Sequence, residues 1–153
     1  MSRGFVLPSQ ISPLIAGKVL QVVTGTTAEP VTNSTTTPED TKLTQTITPT
    51  STSSKVLVLV NHTECYKSAG NAETSMRLKL YRDAVSIGGT VSQLYTGTAI
   101  VLVSNVNITV LDSPATTSAV TYKTKFWNAQ AAASVTVQTN NTKSTIILME
   151  ISA

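Results

Sequence analysis

Apolar and polar residues alternate with a period of two along several segments of this chain, a pattern typical of half-buried β-strands. The clearest case is 75–82, where Met76, Leu78 and Leu80 share one face and charged or aromatic residues share the other. The segment 119–127 repeats the pattern, with two lysines and a tryptophan on the polar face. Both segments therefore predict strands that cover a core on one side.

Further strands are predicted between turn signals rich in Gly, Pro, Asn and Ser. Residues 55–61 are apolar on both faces, which indicates a central strand covered on each side. Residues 134–139 and 144–151 predict a closing hairpin, and Gly88-Gly89 predicts a turn. The other predicted strands are 18–24, 41–48, 99–103 and 106–111, with a polar loop at 26–40 and either a long loop or a strand extension at 62–74.

The composition supports the same fold class. Among 153 residues there are 27 threonines, 17 valines and 9 isoleucines, whose branched Cβ favours the pleated sheet over the helix. About eight short strands in one domain of this length favour an all-β fold. We expect an antiparallel β-sandwich of jelly-roll type over residues 18–153, preceded by an extended N-terminal arm over residues 1–17.

The arm is apolar but interrupted by prolines. Pro8 and Pro13 exclude a continuous helix or a central strand. Three interpretations stay open: a strap over the domain's own core, an anchor docked on another subunit, or a frayed tail. The frayed tail is disfavoured because large apolar side chains would then lie in water. The residues assigned to anchoring are Phe5, Leu7, Ile11 and Leu14.

Motifs of the common enzyme classes do not occur in the sequence. His62 is the single histidine, in the segment His62-Thr63-Glu64-Cys65, and strand alternation puts His62 and Glu64 on one face and Cys65 on the other. Structural zinc needs four ligands. We therefore expect a surface or strand-end histidine, a half-buried Cys65, and no catalytic residue, metal ligand or cofactor.

The charge pattern bears on partners. The net charge of +3 arises from 11 basic and 8 acidic residues with no basic run, which argues against nucleic acid. The single cysteine excludes an internal disulfide. The first residues lack the apolar region of a secretion signal, and no apolar run has the length of a membrane span. A chain made in a cytoplasm, without membrane insertion, is expected.

Three aromatic residues are candidates for contact with a receptor or glycan: Tyr66, Tyr95 and Trp127. Packing in the core or at a sheet edge is the alternative for each. Trp127 differs from the others because it shares its face with Lys123 and Lys125. A large ring on such a face indicates that something partly covers it.

Five segments occur in an order that resembles a known group of domains: 17–23, 43–60, 77–83, 111–127 and 144–151. Together they are similar to β-sandwich domains of bacteriophage virion-surface proteins, tail-fibre-like or decoration-like, especially from phages of marine and other aquatic bacteria. The resemblance implies an oligomeric sandwich on the virion, and it brings no catalytic residues.

From this resemblance we expect a non-enzymatic virion structural protein of the fibre or knob type, anchored to the particle by its N-terminal arm. The alternatives are a capsid decoration protein, either cement or head fibre, and a module that binds a host receptor or glycan. The expected partners are the chain itself, as a homotrimer, and other virion proteins of the capsid, tail or fibre. A host surface glycan is a further expected partner under the receptor alternative.

Overall fold

A computed structural model describes residues 17–153, with the side chains of 90–92 excepted, and over that range the chain is a β-sandwich of antiparallel strands without an α-helix. The predicted all-β class is confirmed. The predicted arm falls outside the described residues up to residue 16, and so do its four anchoring residues, Phe5, Leu7, Ile11 and Leu14. Gly17 closes onto the C-terminal end of the domain, where its N–H donates to the carbonyl of Ser152 at 3.1 Å.

Ten strands follow one another within the described range. They are β1 (Val19–Thr27), β2 (Val31–Asn33), β3 (Glu39–Ile47), β4 (Lys55–Lys67), β5 (Met76–Arg82), β6 (Val85–Gln93), β7 (Leu102–Asp112), β8 (Val120–Asn128), β9 (Val135–Val137) and β10 (Ser144–Ile151). A single 3₁₀ turn, Thr139–Asn141, separates the last two.

The first sheet is built around β4, the longest strand. One edge of β4 pairs with β7, and the other pairs first with β10 and then, at Tyr66 and Lys67, with β9. β1 lies beside β10 and β2 beside β9. The pairs β1–β2 and β9–β10 therefore each run as one interrupted strand, and the sheet is effectively four strands wide.

The second sheet has the order β3–β8–β5–β6 and packs against the first. Alternation works as predicted here, because every second residue of β5 and β8 points inward and is buried. The core between the sheets includes Leu78, Leu80, Tyr122, Phe126, Val58, Ile146 and Leu148, each fully buried. The remaining faces of the two sheets point outward.

Several predicted boundaries are wrong for physical reasons. Gly88 and Gly89 lie inside β6 and not in a turn: a Cβ on Gly88 would stand 2.7 Å from Val110 Cγ2, and Gly89 has a φ of 146°. Glycine thus lets β6 approach its neighbours closely. The predicted strands 99–103 and 106–111 form the single strand β7.

The predicted closing hairpin is also wrong. β9 and β10 do not pair with each other but lie in succession along β4. Gln138, Asn140 and Asn141 between them adopt left-handed φ angles of 53°, 58° and 57°, which offset the chain without reversing it. Asparagine adopts this conformation more readily than most residues, both in turns and in kinks. The Asn140-Asn141 pair therefore marks a kink here, although the sequence predicted a hairpin turn at this position.

Candidate functional site

His62 lies in the middle of β4 and is fully buried, which corrects the expected surface or strand-end position. Its Nε2 is 2.9 Å from Thr124 Oγ1 of the facing sheet, and its Nδ1 is 2.9 Å from the side-chain amide of Gln138. With the amide oxygen turned toward the ring, Nδ1–H donates to Gln138, and Ser144 Oγ donates to the same oxygen at 3.1 Å. Both ring nitrogens are therefore occupied within the fold.

The electrostatics of His62 fit that structural role. Burial lowers the pKa of its imidazole to about 4, so the ring is neutral near pH 7. The network continues through Thr124 to Thr41, whose hydroxyl oxygens are 2.6 Å apart on β8 and β3. The histidine thus ties the first sheet to the second, and it has no open nitrogen for proton transfer.

Cys65 is buried on the same side as His62, contrary to the predicted alternation. Glu64 between them has a φ of 45°, and the pairing of β4 with β7 shifts register between His62 and Cys65. This bulge turns both side chains inward. Burial raises the pKa of the Cys65 thiol to about 12, which leaves it protonated and poorly nucleophilic.

Two buried or half-buried carboxylates are held by structural partners. Asp112 accepts hydrogen bonds from Arg82 Nη1 at 2.8 Å and from the hydroxyl of Tyr122 at 2.7 Å. Glu150 accepts from Gln21 Nε2 and from the N–H of Thr50, each at 2.7 Å. Burial by itself would raise the pKa of Glu150, but the hydrogen bonds outweigh it and lower the pKa to about 2.

The described part of the chain holds no group of three His, Cys, Asp or Glu side chains arranged to bind a metal ion. The outward faces of the two sheets carry the other candidate residues, and the two faces differ in character.

The outer side of the second sheet carries cations and aromatic rings in adjacent positions. Arg77 pairs with Trp127, Lys79 with Lys125, and Tyr81 with Lys123 across β5 and β8. We call these six residues the basic face: Arg77, Lys79, Tyr81, Lys123, Lys125 and Trp127.

Cations and rings of the basic face pack on one another diagonally. Lys79 Nζ lies 5.9 Å from the ring centroid of Trp127, and Lys125 Nζ lies 5.5 Å from that of Tyr81. Such cation–π contacts hold the lysine stems along the sheet while their ammonium groups stay near solvent. The sequence predicted that something partly covers the face of Trp127. In the structure Lys79 of the same sheet lies over the ring.

One carboxylate reaches this face. Asp40 of β3 lies 3.2 Å from Lys123 Nζ and 3.7 Å from Lys125 Nζ. Within residues 17–153, Arg77 and Lys79 form no ion pair. Glu73 shares the smaller neighbouring groove with Arg77, so four cations outnumber two nearby carboxylates and the basic face carries a net positive charge.

A groove adjoins the basic face between β3 and β8. It has a volume of about 360 Å³ and opens where the pairing of the two strands shifts register between Asp40 and Thr44. Lys42 stands in this bulge with a φ of 68°. Its lining comprises Asp40, Lys42, Leu43, Thr44, Thr121, Lys123 and Thr124.

The structure separates the three predicted aromatic residues. Trp127 belongs to the basic face, and Tyr95 lines a smaller groove of about 230 Å³ beside Arg77, with its hydroxyl 3.2 Å from Glu73 Oε1. Tyr66 lies on the first sheet, opposite Val103. The four cations of the basic face were not predicted as site residues, although the alternation of 119–127 already placed two of them beside Trp127.

The outer side of the first sheet is apolar. Val22 pairs with Met149, Met149 with Leu57, and Leu57 with Leu111, so four strands contribute to one row of side chains. We call these four residues the apolar row. Val22 is 52% exposed and Leu111 is 54% exposed. The neighbouring row consists of Thr24, Ile147, Leu59 and Thr109, again without a charge.

Comparison with known proteins adds no relative. Neither a protein-family model nor a curated protein matches the sequence. In the stretch from residue 17 to residue 153, no helix has the length and apolar character required to cross a membrane.

Proposed function

We propose that this chain is a non-enzymatic structural protein of a bacteriophage particle, of the fibre or knob type, that joins its neighbours through the apolar row of the first sheet. The observation that carries the proposal is the row itself. Val22 and Leu111 are about half exposed in the single chain, and no charged side chain interrupts the four positions. An uncharged apolar strip across a whole sheet is typical of a surface that another protein covers.

A second copy of this chain fits the apolar row best. The row needs a partner of equal apolar character, and the chain presents that character on the row itself, so copies that bring their rows together around one symmetry axis cover one another. In the described range, β7 pairs with β4 alone, which leaves a strand of 11 residues at the sheet edge. Exposed edges with few charges favour pairing with another chain.

The size of the face is consistent with the core of such an interface. Four strands at about 4.8 Å spacing give an apolar centre, which the surrounding threonines of the first sheet extend as a polar rim. A stable interface buries about 800 Å² on each partner. The apolar row and its neighbouring row together supply the central part of that area.

Two further points support a place on a phage particle. The first is the ordered resemblance of five segments to virion-surface domains. The second is the strand order, in which β1/β2–β10/β9–β4–β7 faces β3–β8–β5–β6. Eight strands in two such sheets support the jelly-roll part of the prediction, and that architecture serves in capsid and lectin domains.

The details of the assembly stay predictions. We expect a homotrimer, with the arm residues Phe5, Leu7, Ile11 and Leu14 docking on a capsid, tail or fibre protein. A capsid decoration protein, either cement or head fibre, is the alternative on the same assembly principle. If a chain lacking residues 1–16 enters particles as well as the full chain, the anchoring role of the arm is wrong.

A pair of matched variants tests the assembly surface. Val22→Asp puts a charge in the apolar row, and Val85→Asp puts the same charge at a valine that is 58% exposed at the start of β6. We expect sedimentation at micromolar concentration to give an oligomer for the wild type and for Val85→Asp, and a monomer for Val22→Asp. A monomeric wild type would contradict the proposal.

A further inference from the structure

We propose that the basic face and its adjoining groove bind a linear acidic polysaccharide, one that carries carboxylate or sulfate groups. This site lies on the second sheet, away from the apolar row. Glycan binding was one alternative raised by the sequence, and the structure adds which residues would bind and which charge the ligand would carry. It does not depend on the assembly proposal, and the experiment below tests it separately.

Charge determines the class of ligand. Arg77, Lys79, Lys123 and Lys125 face outward together, and Asp40 balances part of the charge of two of them. The ion pairs to Asp40 are partly exposed, so an arriving anion can replace Asp40 as partner at little cost. An anionic ligand therefore gains several charge-assisted contacts.

The arrangement of the cations favours an extended ligand. Residues two apart on one strand face lie about 7 Å from each other. Arg77 and Lys79 follow this spacing on β5, and Lys123 and Lys125 follow it on β8. Gly89 stands opposite Lys79 and has no side chain, so nothing from that position covers the lysine. A linear chain of regularly spaced anions thus fits along the strands.

The groove supplies a place for one sugar unit at the end of this track. Its volume of about 360 Å³ lies at the low end of the range for small-molecule sites, which is about 300–1,000 Å³. Lys42 and Lys123 bring two cationic side chains to its lining against the single carboxylate of Asp40, and Thr44 and Thr121 add hydroxyl groups. Cations beside hydroxyl groups suit a sugar acid, which has a carboxylate and hydroxyls of its own.

The packing of the rings distinguishes a polysaccharide from single-stranded nucleic acid. Nucleobases bind such platforms by stacking on open aromatic faces. Here Lys79 lies over Trp127, and Lys125 lies over Tyr81. A base would have to displace a lysine from each ring, whereas carboxylates or sulfates need only the ammonium groups.

Trp127 makes the site directly observable, because it is the single tryptophan of the chain. The probe is a heparin hexasaccharide, which carries carboxylates and sulfates, titrated into the full chain while tryptophan fluorescence is recorded. Maltohexaose serves as the neutral control, and a single-stranded thymidine dodecamer serves as the nucleic-acid arm. Calorimetry of the same titrations gives the affinities.

Two double variants separate the site from general charge. Lys79→Gln with Lys125→Gln removes two cations of the basic face, and Lys55→Gln with Lys143→Gln removes two exposed cations elsewhere. We expect a tenfold or greater loss of hexasaccharide affinity for the first pair and less than a twofold loss for the second. Far-ultraviolet circular dichroism checks that both fold.

The outcomes decide the proposal in either direction. Saturable binding of the hexasaccharide with a change in Trp127 emission, together with the unequal losses, supports it. No binding, equal losses in both double variants, equal binding of maltohexaose, or tighter binding of the dodecamer overturns it.

Discussion

The two outward faces of this sandwich are built on the same kind of strand but present opposite chemistry. On the first sheet, Val22, Met149, Leu57 and Leu111 form an uncharged row. On the second, four cations alternate with two rings, and two of the cations, Lys79 and Lys125, lie over those rings. Both sheets bury their other face in one core, so the fold itself does not require this difference. We propose a functional reason for it, with one face for assembly and the other for a charged ligand.

The largest expected effect on self-association comes from introducing a charge into the apolar row. Leu57→Asp places a carboxylate in the middle of the apolar row, and an unpaired charge buried in an interface costs about 3 kcal/mol or more. We expect self-association to weaken at least a hundredfold by sedimentation. Lys79→Asp on the basic face is the matched variant and should associate as the wild type does. If both variants self-associate equally well, the two faces do not differ in their role in assembly.

The link between the sheets gives the second effect, through pH. Burial lowers the pKa of His62 to about 4 from an unfolded value of 6.5, so the folded state disfavours the protonated ring. Its contribution to stability is complete above pH 6.5 and is lost as the pH falls toward 4. The loss is roughly 3 kcal/mol in the free energy of unfolding.

Urea unfolding at a series of pH values measures this contribution. His62→Gln removes the titrating group, and its free energy of unfolding should vary much less between pH 6.5 and 4. A wild type whose stability is constant across that window would show that His62 is not held neutral by the fold.

A smaller effect is expected at Glu150, beneath the apolar row on β10. Its carboxylate accepts hydrogen bonds from Gln21 and Thr50, and its pKa of about 2 lies below the ordinary value of 4.5. Stability from this group is therefore complete above pH 4.5 and is lost as the pH falls toward 2. Glu150→Gln should lower the free energy of unfolding at pH 7 by about 1–2 kcal/mol. Glu29→Gln, at an exposed position, is the control and should change it little.

The smallest effect on stability is expected at Asp40, beside the basic face. Its ion pairs with Lys123 and Lys125 are partly exposed, so Asp40→Asn should change stability by less than about 1 kcal/mol. The same variant frees two cations and should raise the hexasaccharide affinity. Glu39→Gln alters the adjacent residue, which pairs opposite Phe126, and should leave the affinity nearly unchanged. Lower affinity for Asp40→Asn would contradict the assigned role of these lysines.

The sequence was sufficient for the fold class and for the shared face of Lys123, Lys125 and Trp127. A period of two at 75–82 and 119–127 separates inward from outward residues without knowledge of strand order, and the structure confirms both segments. It also places Trp127 beside Lys123 and Lys125. The sequence did not show that β5 and β8 are neighbouring strands. Their pairing brings Arg77 and Lys79 onto the same face as Trp127.

The apolar row and the His62 network could not be predicted, because each depends on long-range pairing. Val22 and Leu111 come from strands at opposite edges of the first sheet, and they share a row only through the register with β10 and β4. The burial of His62 next to Cys65 depends on the bulge at Glu64, and a bulge of one residue reverses the faces that simple alternation assigns.

The most direct test of the account compares the two faces in one sample by hydroxyl-radical footprinting of concentrated protein. Met149 reports on the apolar row, Trp127 on the basic face, and the fully buried Met76 gives the baseline of a core residue. We expect Met149 to be protected nearly as well as Met76, while Trp127 stays reactive until the hexasaccharide is added. A Met149 that reacts equally in concentrated and dilute protein, or a Trp127 protected without ligand, would contradict it.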